Sequence, residues 1–201
     1  MLMSGERRLD MIRIATTAGA AALIVSSICV FAPTQAKAAV TVFGSGYAAE
    51  CFHVAKYGGD IQAGIADCER AIATEPLSDR DKAGTYVNEG VLYMSVDDFV
   101  SAQRDFETGV KLDPNLGEAF VNLGGVKIAQ RHFAEGIEDI DRGLALGPEE
   151  PEKAYYNRAL ADEALDNVKA AYFDYSKAAE LKPTWAPPRT ELARFTVRPA
   201  H

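Results

Sequence analysis

The sequence predicts an all-α protein, a solenoid of four helix-turn-helix units closed by a C-terminal capping helix. Prolines recur in equivalent contexts at Pro76, Pro114, Pro148 and Pro183, at spacings of 38, 34 and 35 residues. Each follows a similar short run: AIATEP, GVKLDP, GLALGP and AAELKP. Upstream of every proline, apolar residues stand at intervals of three and four, which places them on one helix stripe. A period near 34 residues marks units that cannot bury an apolar face alone and must stack on their neighbours to make a continuous core.

The chain has 201 residues, 48% hydrophobic and 25% charged, an ordinary globular composition. Its 21 basic and 29 acidic residues give a formal charge of -8. That balance provides no basic stripe for a phosphate backbone and argues against a nucleic-acid partner. Residues 1–38 read as a secretory signal peptide. Arg7, Arg8 and Arg13 precede an apolar run from Ile14 to Ala32, and the small-residue triplet Ala36-Lys37-Ala38 suits cleavage after Ala38. The alternative is an uncleaved N-terminal anchor. Cleavage would discard Cys29, leave 163 residues at -10, and free residues 39–44 as a flexible mature N-terminus. Periplasmic location is the expectation, with full secretion as the alternative and no membrane span after cleavage.

The first unit, 45–78, is the most divergent, with Ala48, Cys51, Phe52 and Ala55 in its first helix. Its second helix presents Ile61, Gly64, Cys68, Ala71 and Ile72. Phe52 stands where glycine is expected, and Gly64 opposite would conserve the volume. The second unit, 83–116, presents Phe99, Ala102, Phe106, Gly109 and Val110. The third, 117–150, presents Phe133, Gly136, Ile140, Gly143 and Leu144. The fourth, 152–185, presents Val168, Ala171, Tyr175, Ala178 and Ala179. Alternation of bulky residues with Gly or Ala lets a second helix approach closely. Residues 186–201 form a cap and tail, with a closing helix from about Pro188 to Phe195 over the last open face.

The units resemble tetratricopeptide repeats. AFVNLGG in the third unit, from Ala119 to Gly125, carries the family's large residue followed by Leu-Gly. The second unit supplies Tyr86, Gly90, Tyr93, Ala102, Phe106 and Pro114, departing at Glu89, where Leu is usual. The fourth departs at Arg158 and Asp162, charged residues in apolar slots whose stems can lie on the core. The resemblance implies a right-handed superhelix that binds protein or peptide segments on its concave face, lined by the first helices. It implies no enzymatic activity and no cofactor.

Asn88, Asn122 and Asn157 occupy equivalent places in three first helices and should form a ladder. An amide side chain both donates and accepts, so a row of them can hold an extended backbone without reading its sequence. This resembles the asparagine ladder of some family members; local bonding is the alternative. Val87, Val91, Val121, Tyr156 and Leu160 are expected on the same face, with Glu163 at its far end, although the valines also suit packing between repeats. Asn122 and Lys153 fit the family's scheme for capturing a C-terminal carboxylate. Val87 and Val91 stand where that scheme needs Lys and Asn, and Asn157 where it needs Arg, so chaperone-tail binding is not implied.

Cys51 and Cys68 flank the Gly58-Gly59 turn at similar heights. In an exported protein they should form a disulfide, closing a loop that stabilises by about 3 kcal/mol. Two buried thiols or a redox pair are the alternatives. His53, His132 and His201 are scattered, with no metal-ligand spacing, and His53 points toward the groove end. The acidic clusters Asp97-Asp98 and Glu138-Asp139-Asp141 read as a solvated convex face. No nucleophile elbow or glycine-rich phosphate loop appears. The rival to a transient peptide binder is a permanent scaffold subunit whose groove is filled by a partner or by its own tail after Phe195; a hydrolase is the remote alternative.

Overall fold

The computed structural model describes residues 11–14, 34–42 and 46–198. Most of the expected leader, with Cys29, and His201 lie outside them. Among the described residues, nine helices follow in order: α1 Tyr47–Tyr57, α2 Ile61–Thr74, α3 Asp79–Ser95, α4 Phe99–Leu112, α5 Gly117–Ala129, α6 Phe133–Leu146, α7 Pro151–Ala164, α8 Val168–Leu181 and α9 Ala186–Leu192. Helices α1 to α8 form four hairpins, and the second helix of each packs on the first helix of the next. The chain is an all-α repeat fold.

Local signals set the boundaries. Asp60, Ser78 and Asp98 each accept a hydrogen bond from a first-turn amide, capping α2, α3 and α4. The hairpin turns of the last three units pass through left-handed residues, Asp97 at φ 59°, Arg131 at 68° and Asp166 at 63°. Each lies two residues before its second helix. The first turn instead uses Gly58 and Gly59, which adopt this region without a Cβ penalty.

Helix contact depends on glycine against bulk. A Cβ on Gly90 would stand 2.6 Å from Phe106 Cε1, and one on Gly124 only 2.5 Å from the Gly136 carbonyl oxygen. The neighbour of Gly124 is backbone, so α5 and α6 must separate to admit a methyl. Gly124→Ala is therefore expected to destabilise by about 1–3 kcal/mol, read by denaturant unfolding, because overpacking outweighs the ~1 kcal/mol that alanine gains in helix propensity. Equal or higher stability would show that this contact is not tight.

Four features differ from expectation. Cys51, not Phe52, takes the glycine place of α1: it faces Cys68, the counterpart of Phe106, with Cα atoms 4.9 Å apart. The connection is three residues, as in the other hairpins, but Cys51 stands ten residues before its second helix where Gly90, Gly124 and Ala159 stand nine before theirs, a one-residue shift of register. Phe52 is half-buried against Tyr57, and Val54 and Leu92 fill the space over Gly64. Second, the closing helix is Ala186–Leu192, and Phe195–Arg198 forms a strand, β2, paired antiparallel with β1, Met11–Ile14, within the expected leader. Third, residues 39–42 are not a flexible end, since Ala39, Val40 and Val42 are buried. Fourth, the acidic groups are not merely solvated: Asp98 caps α4, Asp139 pairs with Lys127 at 2.6 Å, and Asp141 pairs with Arg158 at 2.5 Å.

Candidate peptide-binding groove

Asn88 on α3, Asn122 on α5 and Asn157 on α7 are all at most 1% exposed. They line up along a groove that the chain's own residues 34–42 occupy as an extended strap. Val40 N donates to Asn88 Oδ1 at 2.7 Å, and Asn88 Nδ2 donates back to Val40 O at 2.8 Å. Asn122 makes the same pair with Ala38, at 3.0 and 2.7 Å. Asn157 makes it with Ala36, both at 2.7 Å. In an extended chain the N–H and C=O of one residue point the same way and alternate along the strand, so residues 36, 38 and 40 present one edge. The three amides thus act as the edge of a missing strand, satisfying six backbone and six side-chain hydrogen-bonding functions that would be costly to bury unpaired.

The opposite edge is held as well. Lys153 Nζ donates to Lys37 O at 2.6 Å and pairs with Glu150 at 2.7 Å. Glu150 also pairs with Lys56 of α1 at 3.0 Å, which ties the first hairpin to the fourth beside the strap. Lys37 Nζ donates to Ser95 Oγ at 3.0 Å. Burial lowers the Lys37 pKa, and Asp97 opposes that shift. Gly84 forms the floor under the strap's far end, where an added Cβ would meet Val40 Cγ1 at 2.9 Å and Val42 Cγ2 at 3.2 Å.

The groove stripe of α3 is therefore Gly84, Asn88, Val91 and Ser95, at helical spacing around the rung. On α7 it is Lys153, Asn157 and Leu160, and Ala36 packs on the cluster containing Leu160. Val91 shares a cluster with Val40. The residue just before each rung points elsewhere, which corrects the expected lining. Val87 and Val121 face into their hairpins, against Gly109 and Gly143. Tyr156 lies under the cap, its ring 5.1 Å from Trp185 and 5.6 Å from Tyr175, and burial pushes its hydroxyl pKa up to about 12. Glu163 accepts from the Tyr175 hydroxyl at 3.2 Å and pairs with Arg194. His53 is exposed, its ring 5.2 Å from Tyr57.

A second polar group lies away from the groove, around the departure from the repeat pattern at Glu89. Glu89 and Asp105 are buried together, with Glu69, Tyr86 and Arg104 lining the same recess of about 400 Å³. Burial first, and the neighbouring carboxylates second, push Glu89 up to about 8; burial raises Asp105 to about 6 against the pull of Arg104. The sequence signal was the charged residue in a leucine slot.

The tetratricopeptide repeat family profile matches residues 152–184, the fourth hairpin. Solved repeat structures share the fold over roughly half to three quarters of the chain. The fold is that of a tetratricopeptide repeat array. The type IV pilus biogenesis factor PilW matches at a TM-score of 0.64 with 19% identity, covering 74% of this chain and 66% of that one. MamA matches at 0.58 with 19% identity, covering 75% and 82%. The first repeat domain of Spaghetti (RPAP3), bound to the HSP90 peptide SRMEEVD, matches at 0.53 with 25% identity over 57% of this chain and 90% of that one. Among curated proteins, human mitochondrial import receptor subunit TOM70 is 21% identical over 134 residues, 64% of this chain and 22% of its own length. A DnaJ homolog subfamily C member 7 homolog of Dictyostelium discoideum is 22% identical over 116 residues, 58% and 21%. The chain thus spans about a fifth of the curated relatives it matches. Among the described residues, no helix of the repeat array is long and apolar enough to cross a membrane, and no cluster of metal-ligating side chains is present.

Proposed function

We propose that this tetratricopeptide repeat protein is a non-enzymatic interaction module of the bacterial envelope that holds an extended protein segment by its backbone. The observation that carries the reading is the strap itself: three asparagines of three repeats each grip one alternate residue, both N–H and C=O. Peptide capture by related repeats, as in the RPAP3 complex, supports it. The leader-like residues 1–38 support export, and the facing Cys51 and Cys68 are consistent with an oxidising compartment.

Amide hydrogen exchange on the full chain tests the ladder. The amides of Ala36, Ala38 and Val40 should exchange at least a hundredfold more slowly than an unstructured chain, and the Asn88→Ala, Asn122→Ala, Asn157→Ala triple variant should lose that protection while keeping its helices. Trypsin should cut after Lys37 correspondingly faster in the variant. Coil-like exchange at all three amides in the unaltered chain would sink the reading. The rival, a permanent scaffold subunit, draws on one observation: the groove is already filled, by residues 34–42 rather than by the tail after Phe195. A constant high-mass assembly in native extracts would favour it over a free monomer.

A further inference from the structure

The strap records which side chains the groove admits as well as how it holds a backbone. Ala38 is 1% exposed and Ala39 5%, so at these positions the walls close around a methyl group. Ala36 is packed on the cluster around Leu160. Between the two alanines on the ladder, the Lys37 ammonium reaches Ser95 Oγ at 3.0 Å in the field of Asp97. The groove therefore encloses a small residue, a cation and a small residue in succession. The expected processing point after Ala38 divides this strap. Val40 would stay on Asn88, with Val42 seated over Gly84, while Asn122 and Asn157 would lose their partners and Lys153 and Ser95 their contacts to the strap, keeping those to Glu150 and Val91. A buried side-chain amide left without a partner is unfavourable, which favours an incoming backbone at both vacated rungs.

Building on the ladder reading, we propose that rungs Asn122 and Asn157 take, from another protein, an extended segment of small–basic–small sequence, running in the direction of residues 36–38, while Ala39–Val42 remain as a fixed anchor beside it. The lysine head sits at Ser95, the two small side chains sit against the walls, and Lys153 holds the intervening carbonyl. Asn88 is not part of the exchangeable site.

The test uses the full chain carrying Ala36→Pro and Ala38→Pro, which removes the two amide donors and vacates the rungs without altering any helix. The probe is the fluorescent, N-acetylated peptide Thr-Gln-Ala-Lys-Ala. It should bind the variant at least tenfold more tightly than the unaltered chain. Thr-Gln-Leu-Lys-Leu should bind at least tenfold more weakly than this probe, and Thr-Gln-Ala-Glu-Ala at least fivefold more weakly. Adding Asn122→Ala and Asn157→Ala should abolish binding. If the proline variant loses helix content, Lys37→Glu replaces it, placing like charge beside Asp97; it should bind the lysine probe at least fivefold more tightly than the unaltered chain. Equal binding of all three peptides overturns the selectivity and leaves the ladder reading standing. No binding by any peptide overturns the inference alone, because amide exchange judges the ladder separately. Purified processed protein still carrying its own leader end on the rungs also overturns it.

Discussion

Glu89→Gln raises stability at pH 8.5 and leaves it unchanged at pH 4. Glu89 is 4% exposed and faces Asp105 at 1%, so ionising it places a second negative charge in a desolvated site. Below its ordinary pKa of 4.5 the carboxyl is protonated in the folded and unfolded chains alike, and the group adds no pH dependence. As pH rises from 4.5 to about 8 the unfolded chain releases this proton while the folded chain retains it, so the folded state loses stability across that window. At about 1.4 kcal/mol per pKa unit, the displacement from 4.5 to about 8 sets a ceiling of about 5 kcal/mol. A gain of about 2–4 kcal/mol above pH 8 is expected by denaturant unfolding. The fourth repeat shows how this position is otherwise satisfied. Arg158, the counterpart of Glu89, forks onto Asp174, the counterpart of Asp105, at 2.7 and 2.9 Å. Glu89→Arg should therefore stabilise the second repeat at pH 8.5 by at least as much as Gln. If both variants match the unaltered protein at pH 8.5, burial of this carboxyl does not limit stability.

A disulfide between the facing Cys51 and Cys68 would close a loop, so reductant should lower stability by about 3 kcal/mol, the entropy that loop regains. The loss should be concentrated in the first hairpin. There the core is thin: Cys51, Ile65, Cys68 and Leu92 form one small cluster, and Val42, Ala48 and Ala71 another. Because Val42 belongs to the second cluster, loosening α1 also loosens the end of the strap. Urea unfolding with and without dithiothreitol measures the effect, and Cys68→Ala, which should lose similar stability and be indifferent to reductant, is the control. An unaltered protein equally stable in both conditions would show that the pair contributes no constraint.

Repeat number and helix order were legible because the proline spacing and the small–large stripe report packing inside each hairpin, which is local. The three rung asparagines were legible for the same reason, recurring at one position of the repeat. Side-chain direction within one turn was less so. Val87 and Tyr156 precede their rungs by one residue, about 100° around the helix, and this turns them into the hairpin or under Trp185. The true neighbours, Gly84 and Ser95, carry no mark of a groove, since a helical glycine equally suits packing and a helical serine the surface. Residues 36–42 carried no sign of docking, since an Ala-rich stretch after an apolar run has the pattern of a processing site. Its partners are 48 to 121 residues away, beyond any window of periodicity.

The strap runs against the order of the repeats: Val40 meets the second, Ala38 the third and Ala36 the fourth. Chain separations across the rungs are accordingly 48, 84 and 121 residues, a nested set of loops, each enclosing the last. Each doubling of loop length adds only about 0.6 kcal/mol of closure entropy, so the outer rungs cost little once Asn88 has engaged. The same nesting bears on the order of assembly. The rung at Asn157 needs the fourth hairpin in place, and the shorter loop at Asn88 is the cheaper one to close first, so loop closure favours zipping of the groove from its second repeat outward.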